Sequence, residues 1–288
     1  MLTHRPLAVM VENLRPSRPQ SGLSQADVVY EAITEGGITR FLAIFLQADP
    51  QVIGPVRSAR PHFIDMAREY QAVYVHCGES YEALQILSGD SSLYNLDQMQ
   101  YDKPFWRDHA RDAPHNLYTS AAKLHEYAMA LRWDSPVNPL PSFSSDLPLP
   151  VGVPANQVEI HFPGAGDYRL QLVYNAQLGG YERYEDGKLH VDRETQQPII
   201  VRNIVIQRVP AMPYTDSTKG TFDVGMVGSG EGVFICGGVQ LPITWKKPLM
   251  ESITDFRLLE SNSQVPFQPG QTWVEVVPTG SSARIVYH

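Results

Sequence analysis

The chain has 288 residues, 43% hydrophobic and 19% charged, with a net charge of −8. That length accommodates two domains of ordinary size, and 10% aromatic residues exclude a disordered chain. The acidic balance excludes a general binder of nucleic acid or of anionic membranes, and the chain holds no run of about 18 apolar residues to span a bilayer.

The opening, MLTHRPLAV, lacks the charged and apolar regions of a signal peptide. Two apolar runs, VVYEAIT and ITRFLAIF, flank Glu35-Gly36-Gly37 and predict a β-hairpin, and QVIGPV predicts a third extended stretch. PHFIDMAREYQ has helical apolar spacing, and AVYVHCG reads as a short buried strand. SYEALQILSG reads as a helix with Ser80 as N-cap and Gly89 as its stop, and TSAAKLHEYAMALRW as a further capped helix. Strands alternating with helices make the first part an α/β or α+β domain, residues 1–135.

Between Trp133 and Pro154 stand Pro136, Pro139, Pro141, Pro148, Pro150 and Pro154. Proline at that density excludes helix and central strand, so residues 136–154 are expected to form a semi-rigid linker. Residues 155–288 carry short strand-like runs, among them QVEIHF, YRLQLVYN, PIIVRNIVIQRV, LPITWKK and TWVEVVP, separated by Gly, Pro or Asp-Gly turns. They predict a mainly antiparallel β domain, a barrel or sandwich, with hairpins at Asp186-Gly187 and within MVGSGEGVFI. The Gly228-x-Gly230-x-Gly232 run lacks the following helix and Lys-Ser/Thr of a nucleotide loop.

The chain contains 17 Arg and 6 Lys. Arginine presents a planar fork of donors suited to carboxylate or phosphate. Arg57 and Arg60 stand in a loop before a helix, a geometry that binds anions. With Arg18, Arg40, Arg107 and His115 they are expected to form an anion-binding pocket, with His76 and Asn116 as further ligand-binding residues. The competing expectation is that the arginines pair with Asp27, Glu31, Glu35 or Asp65. Asp27, Glu31 and Glu35 share the parity of one strand face and are weak candidates for a divalent cation beside a phosphate. His76 with His115 and Glu79 is a further weak metal set, without HxH or HExxH spacing. Cys77, His115 and Asn116 allow a nucleophilic reading, but nothing in the sequence supplies an oxyanion site. Cys77 and Cys236 are too few for a disulfide framework and read as buried free thiols. No cofactor is expected.

The segments RPLAVMVEN, RPQSGLSQADVVYEAITEGGITRFLAIF, GPVRSAR, YVHCGES and APHNLY, in that order, resemble the YerB-like lipoprotein family, with NIVIQRV and GQTWVEVVP as looser matches further on. These are two-part bacterial cell-surface proteins of unknown function. The resemblance implies an extracytoplasmic address, membrane-anchored by an N-terminal lipid absent from this chain. It implies a binding or scaffold module associated with cell-wall synthesis proteins, its pocket taking an anionic small molecule or wall precursor. A shorter similarity, strand then PVRSAR then helix, is to the LytR–CpsA–Psr phosphotransferases. That alternative implies a magnesium-dependent transfer from a polyprenyl pyrophosphate clamped by Arg57 and Arg60. It requires an apolar groove beside the arginines, lined from among Tyr30, Phe41, Tyr74, Tyr81 and Trp106.

Overall fold

The computed structural model describes residues 4–46, 48–137, 148–162, 168–213, 222–279 and 284–287. The first half contains β1 (Leu7–Glu12), β2 (Val28–Ile33), β3 (Thr39–Phe45), α1 (Pro61–Glu69), β4 (Val73–His76), α2 (Tyr81–Gly89) and β5 (Tyr94–Asp97). A small ribbon of β6 (Phe105–Arg107) and β7 (Leu117–Thr119) precedes α3 (Ala121–Ala130). The second half continues with β8 (Val153–Pro154), β9 (Gln157–His161), β10 (Leu170–Asn175), β11 (Gly180–Glu185), β12 (Lys188–Leu189), β13 (Ile200–Val201) and β14 (Asn203–Val209). It ends with β15 (Ala211–Pro213), β16 (Phe222–Val224), β17 (Gly228–Cys236), β18 (Val239–Lys247), β19 (Asp255–Leu258), β20 (Thr272–Pro278) and β21 (Arg284–Tyr287).

Strands of both halves share one sheet. One sheet runs in the order β19-β18-β17-β14-β20-β2-β3-β1-β4-β5, with β8 at its side. The join is β20, which lies parallel to both β14 and β2, with Val28 opposite Thr272 and Glu31 opposite Glu275. β1, β2 and β3 are buried at every position, as befits strands covered on both faces. Helix α1 packs on one face, against β3 and β4. A smaller antiparallel sheet, β12-β11-β10-β9-β21 with β13, presents buried side chains to Phe41 and Trp273 of the large one.

Local chemistry explains the elements. Pro61 at the first helical position of α1 supplies a preset φ and lacks only an N–H that has no partner in the first turn. Ser80 and Ser120 cap α2 and α3, accepting hydrogen bonds from the N–H groups of Ala83 and Lys123, both at 3.3 Å. Asp186 and Gly187, at φ 53° and 76°, make the turn between β11 and β12.

Three expectations are corrected. QVIGPV forms no strand: Ile53, Gly54 and Val56 make isolated bridges to Thr119, Ser21 and Val11. The MVGSGEGVFI hairpin is absent, because Gly228 to Cys236 is one unbroken strand whose turn comes at Gly237-Gly238. A Cβ on Gly230 would stand 2.7 Å from the Trp245 indole nitrogen, and one on Gly232 would stand 2.5 Å from the Ile206 carbonyl oxygen. Those glycines exist for close approach, not for a turn. Of the linker, residues 138–147 lie outside the described residues, and Val153–Pro154 pairs with β18.

Between the sheets lies a buried ionic network. Arg183 is fully buried, donating through Nη1 to Glu185 (2.6 Å) and through Nη2 to Glu31, with its guanidinium 4.3 Å from the Trp273 ring centre. Tyr168 donates to Glu31 at 2.8 Å. Burial, and then the Glu31 charge, push the carboxyl of Glu275 beside it well above the usual carboxylate range. A second tie, Lys247 Nζ to Glu69 at 2.8 Å, joins β18 to α1. Removing one member of a buried ion pair costs about 3–5 kcal/mol, because the other charge is stranded. Arg183→Met is therefore expected to destabilise the fold by about that amount, and Glu31→Gln/Arg183→Met by less. Urea unfolding of both variants checks this; a double variant no more stable than Arg183→Met contradicts the assignment.

Candidate functional site

β1, β4 and β5 run parallel, so their carboxyl ends open on one edge. Sites in such sheets form beyond that edge, where loops leave the strands. Here β1 delivers Glu12, β4 is followed by Cys77, Gly78 and Glu79, and β5 ends at Asp97. The 53–60 segment is laced across them: Arg57 N–H donates to Met10 O at 3.0 Å, and Cys77 N–H to Arg57 O at 3.1 Å. Gly54 permits this path, since at φ 149° a Cβ there would lie 2.8 Å from the Leu117 carbonyl oxygen.

The structure brings Arg40, Arg57 and Arg60 together with His115 and separates Arg18 from them. Arg60 donates through Nε to Glu35 Oε2 at 2.7 Å and through Nη2 to Glu35 Oε1. Arg40 Nη2 lies 3.6 Å from that same oxygen, while its Nη1 donates to Ser58 O at 2.7 Å. Arg57 Nε lies 3.1 Å from Glu12 Oε1 without hydrogen-bond alignment, and His115 Nδ1 meets Glu12 Oε2 at 2.8 Å. Arg107 donates to Asn116 Oδ1 at 2.8 Å and is exposed. Arg18 instead joins the inter-sheet network, bonding Asn13 and Asp186 at 2.9 Å and lining a cavity of about 530 Å³ with Glu185 and His190.

The remaining candidates have other partners. His76 is fully buried, with Nδ1 at 2.9 Å from Gly78 O and Nε2 at 2.6 Å from Asn95 Oδ1. The three weak metal acids do not converge. Asp27 accepts from Leu46 N–H, Glu31 from Arg183, and Glu35 from Arg60, because Asp27 precedes the regular strand and Glu35 lies in the turn after it. Cys77, half-buried, donates to Gln98 Oε1 at 3.2 Å; burial and the neighbouring Asp97 push its thiol up, which disfavours a nucleophilic thiolate. Both cysteines are free. Of the aromatic candidates for a lipid groove, Tyr30, Phe41 and Tyr74 are buried, while Tyr81 is 74% exposed. Two largely apolar cavities, about 600 Å³ beside Leu149 and Leu258 and about 320 Å³ beside Tyr70 and Phe256, are lined by none of the arginines.

Charge in the cluster is uneven. Three arginines face two carboxylates, Glu12 and Glu35. Burial works to raise the Glu35 carboxyl, but the Arg60 hydrogen bonds and the Arg40 charge hold it down to about 2. Burial, then the Arg60 charge, lowers Arg40 to about 9. The same two influences, with Arg40, lower the fully buried His62 to about 3. Glu12, the counter-ion of both Arg57 and His115, has no helical or turn signature in the sequence. Its only signal was its place at the end of the apolar run LAVMVE.

Comparison with known proteins gives concordant matches. Residues 1–134 match the family described as "Protein of unknown function (DUF3048) N-terminal domain", and residues 158–274 match its C-terminal domain. "Putative lipoprotein YerB" of Bacillus subtilis (strain 168) is 34% identical over 289 residues, covering 98% of this chain and 83% of that protein. The crystal structure of YerB protein from Bacillus subtilis superposes with a TM-score of 0.84 at 31% identity, over 99% of this chain and 94% of the other.

The depressed His62 value makes stability depend on pH with a definite sign. Its folded value, about 3, lies below the ordinary 6.5, so between those limits the unfolded chain binds more protons. The contribution is complete above about pH 6.5 and is lost as pH falls towards 3. His62→Leu is expected to lose less stability than the parent between pH 6 and 4, by on the order of 1 kcal/mol per pH unit. Urea midpoints at the two pH values measure it; equal pH dependence in both proteins refutes it.

Proposed function

The chain belongs to the DUF3048 family, and on that premise we propose that it is the extracytoplasmic binding module of a membrane-anchored surface lipoprotein, taking an anionic ligand at the carboxyl ends of β1, β4 and β5. One observation carries the reading: Arg40, Arg57 and Arg60 share two carboxylates, and the side chain of Arg57 is the member 28% open to solvent. Its only ionic partner among the described residues is Glu12, which lies near Nε without hydrogen-bond alignment. The outer nitrogens of that guanidinium are placed to take a bidentate carboxylate or phosphate. Arg107 and Asn116 flank the same edge, where Arg107, like Arg57, exerts its charge on Cys77. His115 shares Glu12 with Arg57 through its Nδ1.

Wall precursors and acidic glycans or peptides carry the anionic groups this rim would recognise, which supports an association with wall-synthesis proteins. Among the described residues no helix is long and apolar enough to cross a membrane; the anchor in this reading is an N-terminal lipid. The binding role stands ahead of phosphotransfer because Asp27, Glu31 and Glu35 are engaged in three different places and the apolar cavities named above lie elsewhere.

Arg57→Ala is expected to keep the native circular dichroism and lose at least about tenfold in affinity for anionic ligands, and Glu12→Gln to gain affinity by freeing the guanidinium. Thermal-shift titration with pyrophosphate, a polyprenyl pyrophosphate, muropeptides and acidic sugars, each with and without magnesium, reads both effects. An affinity unchanged in Arg57→Ala removes the pocket assignment. A shift confined to the polyprenyl pyrophosphate with magnesium replaces the binding role with the transferase.

A further inference from the structure

Far from the arginine edge, three segments meet at the base of the first half. His4 comes from the residues leading into β1, His125 from the middle of α3, and Asp134 from the chain just after that helix. One nitrogen from each histidine and one carboxylate oxygen lie within 4.8 Å of one another. His4 Nδ1 meets Asp134 Oδ2 at 2.6 Å, and the two imidazole rings face each other with centres 4.5 Å apart.

The informative atom is Nδ1 of His125. It is buried and has no hydrogen-bond partner among the described residues, although Asp134 Oδ1 stands 3.6 Å away. A buried polar atom left in that state requires an explanation. The separation is too long for a hydrogen bond and close to what two ligands of one ion adopt. Bonds of about 2.0–2.1 Å to a tetrahedral zinc put neighbouring ligand atoms roughly 3.3 Å apart. The His4 Nδ1–Asp134 Oδ2 contact would open by less than an ångström, and His125 Nδ1, which lies 3.6 Å from the other oxygen Oδ1, would reach the ion with a turn of the carboxylate.

The surroundings suit ligation. Asp134 is fixed by the Arg5 backbone N–H at 2.9 Å, and Arg5 is itself held by Trp133 O and Gln71 O, both at 2.6 Å. The other nitrogen of His125, Nε2, has Asp49 Oδ1 at 3.8 Å, beyond hydrogen-bond range. The side chain of His4 is 40% exposed, so it has room to turn, and a solvent position remains for a water as fourth ligand.

We propose that His4, His125 and Asp134 form a binding site for a zinc-class divalent cation that clips the start of β1 to the end of α3. Binding joins an imidazole nitrogen from each histidine and one carboxylate oxygen to the ion, with His4 taking the tautomer that leaves Nδ1 free. The clip fixes the entry of the chain into the large sheet against the point where the first half leaves for the second.

Tag-free protein stripped by chelator is titrated with Co²⁺, followed by visible absorption, and then melted with and without Zn²⁺. One equivalent of four-coordinate cobalt, displaced by zinc, is expected, with a rise in melting temperature of about 5 °C at saturating zinc. His4→Ala alters an exposed side chain and should fold normally while losing the cobalt spectrum and the zinc shift; His125→Ala should do the same. Absence of cobalt binding to the parent overturns the proposal. So does binding that survives both variants, or that disappears only in Glu79→Ala, which would move the ion to His76, Glu79 and Asp97.

Discussion

The parallel pairing of β20 with β2 is the constraint from which most of this molecule follows. It inserts a strand from the end of the chain between β14 and the first hairpin, and so fuses two halves into one sheet. Its register also sets Glu31 directly against Glu275 on a buried face. Two ionised carboxylates cannot share such a place. The fold answers in two ways: burial and the Glu31 charge push the Glu275 carboxyl well above the usual range, and Arg183 from the smaller sheet pairs with Glu31. The position of the second sheet over the first is thus fixed by charge as well as by the apolar contacts of Phe41 and Trp273.

A sheet continuous across both halves gives the candidate site a stiff floor. Glu12, Arg40 and the segment carrying Arg57 are tied to buried strands, and Arg60 begins a helix packed on the same sheet. The side chains at the rim are therefore held by backbone that cannot shift without disturbing the core. Such preorganisation lowers the ordering cost of binding an anion.

Much of the local structure was legible in the sequence. The hairpin of β2 and β3, the serine caps of α2 and α3 and the Asp186-Gly187 turn were read from residues within a few positions of each other. What escaped was long-range. A parallel strand pairing leaves no turn signature, so TWVEVVP read as a strand of its own domain, although its partner lies some 240 residues earlier. The GSGEG run read as a turn because glycine has two uses, and only the neighbouring strands, with Trp245 and Ile206, reveal that close approach is the one in force. The arginines were singled out by type, and which of them meet depended on partners no spacing rule names. Glu12 ends an apolar strand, and Glu185 and Asp186 approach Arg18 from the other half of the chain.

The pleat of β2 explains why positive charge accumulates at the edge. Along a strand successive side chains point to opposite faces. Ala32 pairs with Arg40 and Glu31 with Phe41, so Glu31 faces the smaller sheet while Arg40 lies on the side of α1. Only one residue separates their registers, yet the sheet stands between the two charges. Glu31 is spent on Arg183 and cannot reach Arg40, Arg57 or Arg60. On the α1 side the counter-ions are Glu12, the register partner of Arg40, and Glu35, which lies beyond the strand in the turn. Burial, then the Arg60 charge, lowers Arg40, while Asp97 and Glu79 bring negative charge to the same edge beside Cys77 and Arg57. Of the three arginines, Arg57 is the one whose side chain is most open to solvent.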